Sequence, residues 1–271
     1  MRLLIISSWV SSGHVGLSAA APALTLLGHE VIQVPAVILS NHPGWPRTAV
    51  HPIPADTMAA MLGAVDDNGW LRACDAVLTG YMPSPQHVAV ASKTIEQLRQ
   101  DPNPPNIVVD PVMGDEPNGL YIPEDAATAV RNHLLPLADI VTPNRFELAW
   151  MSGHSTDTLT NAFQAAHKLK TRSRGVIVHV TSAPVSRGQT GVLTVGPEAP
   201  LLYPVTRLDG VPHGVGDVFS ALVAANETAG SAVGKLDALV QGSLDAPHLR
   251  IAELARDWTT APAIAATQLT P

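Results

Sequence analysis

The chain has 271 residues, of which 46% are hydrophobic and only 14% are charged, and its formal net charge is -7. This composition describes a compact globular protein, and an acidic chain without a basic run argues against a nucleic-acid partner. The single cysteine, Cys74, excludes an internal disulfide and a cysteine-rich zinc site, which favours a reducing cytoplasm. The opening stretch MRLLIISSWV is too short for a secretory signal or a membrane span, so we expect no membrane partner.

Short apolar runs alternate with helical patterns from end to end, which is typical of a parallel sheet with crossover helices. The strand RLLIIS, ending near Ser7, precedes a helix closed by Gly28. The strand EVIQVPAVIL, a helix over about 55–66, the strand DAVLTGY, a helix near Pro85 and the strand NIVVDPVMGD follow in turn. After DIVTPNRFELAWM comes a helix that we expect to end near Thr171, and then the strand GVIVHVT.

The last third of the chain predicts an edge hairpin from GVLTVG and LLYPVTRLDG, a glycine-opened helix, and a C-terminal helical region. We find no repeat and no Pro/Gly/Ser linker. The sequence therefore predicts one α/β domain over residues 1–271.

Polar residues directly follow five of the apolar runs. Because ligands of open α/β sheets bind beyond the carboxyl ends of the strands, these five separate segments are expected to converge on one site. The residues are Ser7 and Ser8, Gly80 and Tyr81, Asp110, Thr142 to Asn144, and Thr181 and Ser182.

The segment PHGVGDVFSALVAA, residues 212–225, joins two glycines to an aspartate and an apolar helix. The uncovered N–H groups of Gly214, Val215 and Gly216 and the helix dipole favour an anion at this point. Asp217 would repel a bound phosphate unless it takes a proton from the group that attacks that phosphate. The residues alone leave open an ordinary helix start, with glycine in the turn and aspartate in the first turn.

Asp110 and Glu147 are the carboxylates that we expect near a metal. Mg²⁺ bound with a nucleotide needs only one or two carboxylates, acting partly through water, because it keeps several of its waters. Glu147 also fits a structural role as a helix N-terminal charge paired with Asn144. The segment SSGHVG lacks the lysine of a GxxxxGK loop and does not form GxGxxG, which argues against an NAD-dependent dehydrogenase.

A series of motifs, in order from about Leu3 to Ala225, resembles the pyridoxal kinases of the ribokinase superfamily. GVGDVFSA is similar to the superfamily signature, and DPVMGD and TPNRFEL are similar to its vitamin-kinase branch. SSWVSSGHVGLSAAAPALTLLGHEV, VILSNHPGW and DAVLTGYMPS narrow the resemblance to the pyridoxal kinases. The resemblance implies a homodimer and a three-layer ribokinase-like fold, with a central mostly parallel sheet flanked by helices and a small edge or lid element.

The activity implied by this resemblance is ATP-dependent phosphorylation of the 5′-hydroxymethyl group of pyridoxal in vitamin B6 salvage, with Mg²⁺ and a monovalent cation such as K⁺. Asp217 would be the general base, and Gly214, Val215 and Gly216 would bind the transferred γ-phosphoryl group. The other implied positions are Ser8, Val15, His42 and Tyr81 at the pyridine ring; Asp110 and Glu147 at Mg²⁺ and the ATP phosphates; Asn144 at the phosphates; and Thr181, Ser182 and a lid from Tyr203 to Leu208 along the nucleotide.

Departures from the family pattern bear on the substrate. SNHTGY of the family reads SNHPGW here, so Pro43 removes a threonine hydroxyl and Trp45 replaces a tyrosine. A lysine that some bacterial members carry on a later strand aligns with His179. Two alternatives stay open: a hydroxymethylpyrimidine kinase, which typically carries GTGC instead of GVGD, and a protein that binds pyridoxal or its phosphate without turnover. The intact GxGD pattern argues against a pure binder, which gains nothing from a carboxylate beside a phosphate.

Overall fold

The computed structural model describes residues 1–170 and 176–269, within which helices cover a central sheet. The strands in chain order are β1 (Arg2–Val10), β2 (Glu30–Leu39), β3 (Val50–Pro52), β4 (Ala76–Thr79), β5 (Asn106–Val109), β6 (Gly114–Asp115), β7 (Gly119–Leu120), β8 (Ile140–Val141), β9 (Ile177–Val180), β10 (Gln189–Val195), β11 (Leu201–Thr206) and β12 (Thr267–Gln268). The α-helices are α1 (Leu17–Leu26), α2 (Ala55–Asp67), α3 (Pro85–Leu98), α4 (Glu124–Ala129), α5 (Arg145–Ser152), α6 (Leu159–Lys170), α7 (Val215–Ala224), α8 (Ala229–Gln241) and α9 (Ala255–Thr259). Shorter helical turns cover Leu71–Ala73, Val130–Leu134 and Leu135–Leu137.

In the described residues the main sheet has ten strands in the order β12-β11-β10-β9-β8-β5-β4-β1-β2-β3. The central strands, from β2 through β1, β4, β5 and β8 to β9, pair in parallel. The outer strands β3, β10, β11 and β12 pair antiparallel, and β6 and β7 form a separate ribbon. The parallel centre aligns the carboxyl ends of its strands along one edge, where open α/β sheets bind their ligands.

Burial of both sheet faces explains the continuous apolar runs of the central strands. In β1, Leu4 and Ile6 pack with the layer that contains α2 and α3, whereas Leu3 and Ile5 pack with α1 and α7. All four side chains are at most 1% exposed, because successive residues of a strand point to opposite faces. The result is a sheet held between two helix layers.

The end of β1 differs from the sequence-based expectation. The apolar run predicts a strand that ends near Ser7, but β1 continues to Val10. Its pairing with β2 shifts by one residue between Ser7 and Ser8, and such a bulge bends a strand without ending it. The predicted edge hairpin is confirmed as β10 and β11. The predicted helix end at Thr171 lies outside the described residues.

The last forty-odd residues complete the second helix layer. α8 packs on α7 and β11, and α9 packs on α8. Trp258 of α9 is fully buried, and its Nε1 donates a hydrogen bond to the carbonyl of Ile251 at 2.8 Å. Before α9, the N–H of Asp245 donates to the carbonyl of Gly210 at 2.9 Å, so this part of the chain supports the loop that leads into α7.

Candidate active site

The start of α7 is fixed by Gly214, which caps the helix in a left-handed conformation with φ 99°. A Cβ atom at this position would collide with the backbone oxygen of His14, so the close approach of the two loops requires glycine. The first N–H groups of a helix have no partner inside the helix, and the dipole adds partial positive charge there. The structure therefore places a helix N-terminus, whose free N–H groups and dipole favour an anion, at the predicted glycines.

Asp217 lies in the first turn of α7 and is half-buried. Burial raises the pKa of its carboxyl to about 6, although a hydrogen bond from the N–H of Gly16 opposes that shift. Gly16 has φ 54°, and a Cβ atom there would collide with the backbone oxygen of Ser8. The tight turn between β1 and α1 thus brings the predicted ring residue Ser8 and the predicted base into one neighbourhood.

Asp110 follows β5 directly and is 8% exposed. Burial, and then the negative charges of Glu147 and Asp217, raise the pKa of Asp110 well above its usual range. Ser220, one turn after Asp217 on α7, donates a hydrogen bond from Oγ to Asp110 Oδ2 at 2.7 Å. A small cavity lies between the two aspartates and is lined by Ile5, Ser7, Gly16, Ala20, Leu78, Gly80, Asp110 and Asp217.

Glu147 and Asn144 form a capping box at the start of α5. The N–H of Glu147 donates to Asn144 Oδ1 at 3.0 Å, and the N–H of Asn144 donates to Glu147 Oε2 at 2.9 Å. Glu147 Oε1 accepts from the N–H of Met113 at 2.9 Å, and Asn144 Nδ2 donates to the carbonyl of Gly114 at 2.8 Å. Burial raises the pKa of Glu147 to about 7 in spite of these donors. Glu147 therefore has the structural role expected at a helix N-terminus, and its hydrogen bonds hold the DPVMGD loop against α5.

The predicted ring residues lie around the ends of β1 and β2. Val15 and Tyr81 pack against a small apolar cluster of Val10, Val37 and Leu39. His42 stacks on His213, with ring centroids 3.8 Å apart and an angle of 22° between the planes. Burial and the neighbouring His213 lower the pKa of His42 to about 4, so this imidazole is neutral at pH 7. Because His213 immediately precedes Gly214, the stack joins the predicted ring segment to the anion-binding loop.

The predicted nucleotide residues fall into two groups. Thr181 is held next to Pro143 because its N–H donates to the Pro143 carbonyl at 2.9 Å, and exposed Ser182 follows with φ 56°. The structure differs from the predicted lid at Tyr203. This residue lies within β11, is 8% exposed, and its ring lies against Gly230 of α8. Alternation along β11 puts it on the face that α8 covers, so only the segment after Thr206, which includes half-buried Leu208, is free to cover a ligand.

His179 is a core residue in this structure. It is 6% exposed on β9, its Nδ1 hydrogen-bonds with Thr194 Oγ1 at 2.9 Å, and it meets the ring of Phe219 edge to face at 5.9 Å. Burial lowers the pKa of His179 to about 4, so it stays neutral. The residue that replaces the family's lysine therefore supports α7 by packing.

Ser220 and His213 are site residues that the sequence analysis missed. Ser220 follows Asp217 at a spacing of three, which places both on the same side of α7, so helix periodicity was a usable signal. His213 gave no comparable signal, since its contact with His42 depends on how two loops meet.

The electrostatics of the site fit a divalent cation. None of the ion pairs among the described residues involves Asp110, Glu147 or Asp217. Residues 1–170 and 176–269 also contain no group of three His, Cys, Asp or Glu side chains that could hold a metal ion. Buried carboxylates without a cationic partner suit Mg²⁺, which keeps several waters and takes further oxygens from phosphate.

Solved structures define the class of this fold and site. Pyridoxal kinase from Leishmania donovani, in complex with ADP and pyridoxamine, matches with a TM-score of 0.91 and 28% identity over 99% of each chain. The predicted ribokinase-like architecture is confirmed, and the protein is a kinase. In the described part of the chain no helix is long and apolar enough to cross a membrane.

Sequence comparisons give the family. The model of the phosphomethylpyrimidine kinase family matches residues 11–243. Pyridoxal kinase PdxY of Deinococcus radiodurans is 36% identical over 229 residues, which cover 82% of this chain and 77% of the relative. A pyridoxine/pyridoxal/pyridoxamine kinase of Bordetella avium is 36% identical over 231 residues, which cover 84% of this chain and 78% of the relative. The chain belongs to the pyridoxal kinases, within the phosphomethylpyrimidine kinase family.

We expect Gly214→Ala to destabilise the protein and Gly216→Ala to leave its stability unchanged. The left-handed conformation of Gly214 costs an L-residue about 1–2 kcal/mol, and the new methyl group would also collide with His14. At Gly216 a methyl group meets no atom within 4 Å. Thermal unfolding should show Tm lowered by at least about 4 °C for Gly214→Ala only. Equal Tm values would contradict the assigned role of Gly214.

Proposed function

We propose that the chain transfers the γ-phosphoryl group of ATP to the 5′-hydroxymethyl group of pyridoxal and forms pyridoxal 5′-phosphate in vitamin B6 salvage. The observation that carries this proposal is Asp217 in the first turn of the glycine-opened helix, on a cavity shared with Asp110. A carboxylate beside a phosphate site opposes simple binding. It suits a base whose substrate hydroxyl lies against the phosphate that is transferred.

Each group at the start of α7 has a separate task in this mechanism. Asp217 accepts the proton of the 5′-hydroxyl while the hydroxyl oxygen attacks the γ-phosphorus, and the bond from that phosphorus to the bridging oxygen breaks and releases ADP. The N–H of Gly16 keeps the carboxylate oriented. The N–H groups of Gly214, Val215 and Gly216 bind the oxygens of the transferred group. Phosphoryl transfer depends on in-line positioning and charge neutralisation, so the rigid start of α7 supports the reaction directly.

Asp110 and Glu147 are proposed to hold Mg²⁺ at the ATP phosphates. Asp110 lines the cavity that it shares with Asp217, whereas both oxygens of Glu147 accept backbone hydrogen bonds away from that cavity, so we assign Asp110 as the direct ligand and Glu147 as a charge that acts through water. Bound Mg²⁺ supplies charge neutralisation on the phosphate oxygens during transfer. Asn144 at the phosphates, and Thr181, Ser182 and Leu208 along the nucleotide, remain part of the proposal.

The pyridine ring is proposed to bind at Ser8, Val15, His42 and Tyr81. The N–H of Gly44 donates to His42 Nδ1 at 3.0 Å, so the proton of the neutral ring is on Nε2. His42 therefore has a donor to offer, whereas Pro43 has none. We infer that His42 Nε2 takes over the polar contact that a threonine hydroxyl would make.

We further infer a homodimer that works in the cytoplasm and uses a monovalent cation such as K⁺. The resemblance to the pyridoxal kinases supports the dimer and the ion. The single, buried Cys74 supports a reducing compartment.

Hydroxymethylpyrimidine is the second candidate substrate, because the matching family model is described as phosphomethylpyrimidine kinase. The curated relatives named as pyridoxal kinases and the aspartate of GVGD favour pyridoxal. A comparison of substrates on one enzyme preparation separates the two.

Asp217→Asn should abolish turnover while it preserves binding. We expect kcat for pyridoxal with Mg-ATP to fall by roughly 10²–10⁴-fold, because the variant cannot accept the hydroxyl proton. Pyridoxal, pyridoxine, pyridoxamine and hydroxymethylpyrimidine would be assayed in parallel, with exposed Asp209→Asn as the matched control. Preferred turnover of hydroxymethylpyrimidine would select the second candidate. Pyridoxal binding by the wild type without any phosphorylation would instead identify a binding protein.

The pH dependence of the reaction should reflect the same carboxylate. Because burial raises the pKa of Asp217 to about 6, its basic form is lost on acidification through that value. We expect kcat/KM for pyridoxal to rise with pH up to about 6 to 7 and then level off. Steady-state assays across this range at constant ionic strength test the expectation, and a profile that stays flat down to about pH 5 would contradict the base assignment.

His213→Ala should weaken pyridoxal binding without slowing the transfer step. Loss of the ring stacked 3.8 Å from His42 frees the substrate segment, and one such aromatic pair is worth roughly threefold to tenfold in affinity. KM for pyridoxal should rise by that factor while kcat changes little. Exposed His51→Ala on the edge strand is the control. An unchanged KM would show that the stack does not support the ring site.

A further inference from the structure

We propose that Ser220 is a positioning residue for the metal site: it orients the Asp110 carboxylate and ties it to the helix that carries the base. This inference rests on the proposed function, because Asp110 is taken as the direct ligand of Mg²⁺. It adds a residue that touches neither substrate nor metal.

The proton of each hydroxyl in this network can be assigned. Ser220 Oγ is 2.7 Å from Asp110 Oδ2 and 2.8 Å from Thr142 Oγ1. When a metal is bound, Asp110 is ionised and its carboxylate only accepts, whereas each hydroxyl has one proton to donate. Ser220 therefore donates to Asp110, and Thr142 donates to Ser220. The hydrogen bonds run in one direction, from the end of β8 through α7 to the end of β5.

Burial makes this network rigid. Ser220 is 1% exposed, Thr142 is 3% exposed and Asp110 is 8% exposed, so water has little access to replace a missing donor. The N–H of Thr142 also donates to the carbonyl of Val109 at 3.1 Å, which fixes Thr142 against β5. Ser220, which donates to Asp110, is therefore held both by α7 and by Thr142. Asp110 also accepts a hydrogen bond from the N–H of Val112, so α7 and the loop after β5 together set the orientation of the carboxylate toward a metal.

The same helix carries the anion-binding glycines and Asp217 one turn earlier. Any shift of α7 relative to β5 would move the base and the metal ligand apart, and the bond between Ser220 and Asp110 is a direct polar link between them. Phe219, beside it, packs edge to face on His179 and holds the adjoining part of the helix. Ser220 thus fixes the distance between the two halves of the transfer machinery.

The test is Mn²⁺ binding in the presence of ADP, followed by electron paramagnetic resonance of the free ion, on Ser220→Ala. We expect about tenfold weaker Mn²⁺ binding, the size of one lost hydrogen bond to a charged group. In assays, the Mg²⁺ concentration for half-maximal activity should rise by a similar factor while KM for pyridoxal stays unchanged. Ser220→Thr retains the hydroxyl and should restore most of the affinity. Ser92→Ala is the matched control, since Ser92 is a buried helix serine whose Oγ lacks a partner among the described residues.

Two further variants make the result decisive. Thr142→Val removes the donor to Ser220 without touching Asp110, and should weaken Mn²⁺ binding by roughly twofold to threefold even if Ser220→Ala does not fold. Wild-type affinity in the folded Ser220→Ala and Thr142→Val variants overturns the proposal, whatever their Tm. Asp110→Asn separates this failure from a wrong metal site. If Asp110→Asn alone loses Mn²⁺, only the role of Ser220 fails; if Asp110→Asn also binds normally, the metal is not held at Asp110 and both assignments fail.

Discussion

The structure depends on one constraint, which is that three carboxylates lie together at one edge of the sheet. Among the described residues, no cationic side chain forms an ion pair with them. Asp110, Glu147 and Asp217 would each be costly to bury alone, and their pKa values are raised accordingly. The fold offsets part of that cost with donors from Gly16, Met113 and other backbone N–H groups. The rest remains as an unfavourable charge density that a bound cation would relieve. A carboxyl group whose pKa is raised by folding contributes stability that is fully present below the pKa of the unfolded chain. This stability is lost as pH rises through the folded pKa, so these carboxylates lower the stability of the protein near neutral pH.

The donor from Gly16 and the position of the start of α7 depend on two glycines that let separate loops come into contact. Gly16 brings the β1–α1 turn against Ser8, and Gly214 brings the start of α7 against His14. The Nδ1 of His14 in turn donates to the carbonyl of Leu249 at 2.6 Å. The C-terminal segment, which carries no family motif, therefore helps to hold the anion-binding loop in place.

Most of the sheet and half of the site could be predicted from the sequence because their signals are local. The apolar runs, the polar residues that follow them and the GVGD helix start each depend on neighbouring residues, and they identified Asp110 and Asp217. The continuation of β1 past Ser7 depends on a bulge opposite β2, and the burial of Tyr203 depends on which face of β11 α8 covers. Both features depend on tertiary contacts, which the sequence of a single strand does not specify. The two roles of Glu147 show the limit most clearly, since the same carboxylate caps a helix and fixes the loop that follows Asp110.

The residues proposed to perform the transfer and those proposed to bind the ring lie in separate parts of the site. The transfer groups lie on β5 and α7 and are joined by buried hydrogen bonds, whereas the ring residues lie on the β1 and β2 ends and are joined by apolar packing and the stack of His42 on His213. Packing contacts tolerate changes of shape better than a buried carboxylate tolerates the loss of a donor. Pro43 and Trp45 could therefore replace the residues of the resembling family without disturbing Asp217. Under the proposed assignment, substrate choice would change through the loops at one end of the sheet, while the geometry of the proposed transfer groups would stay fixed by its centre.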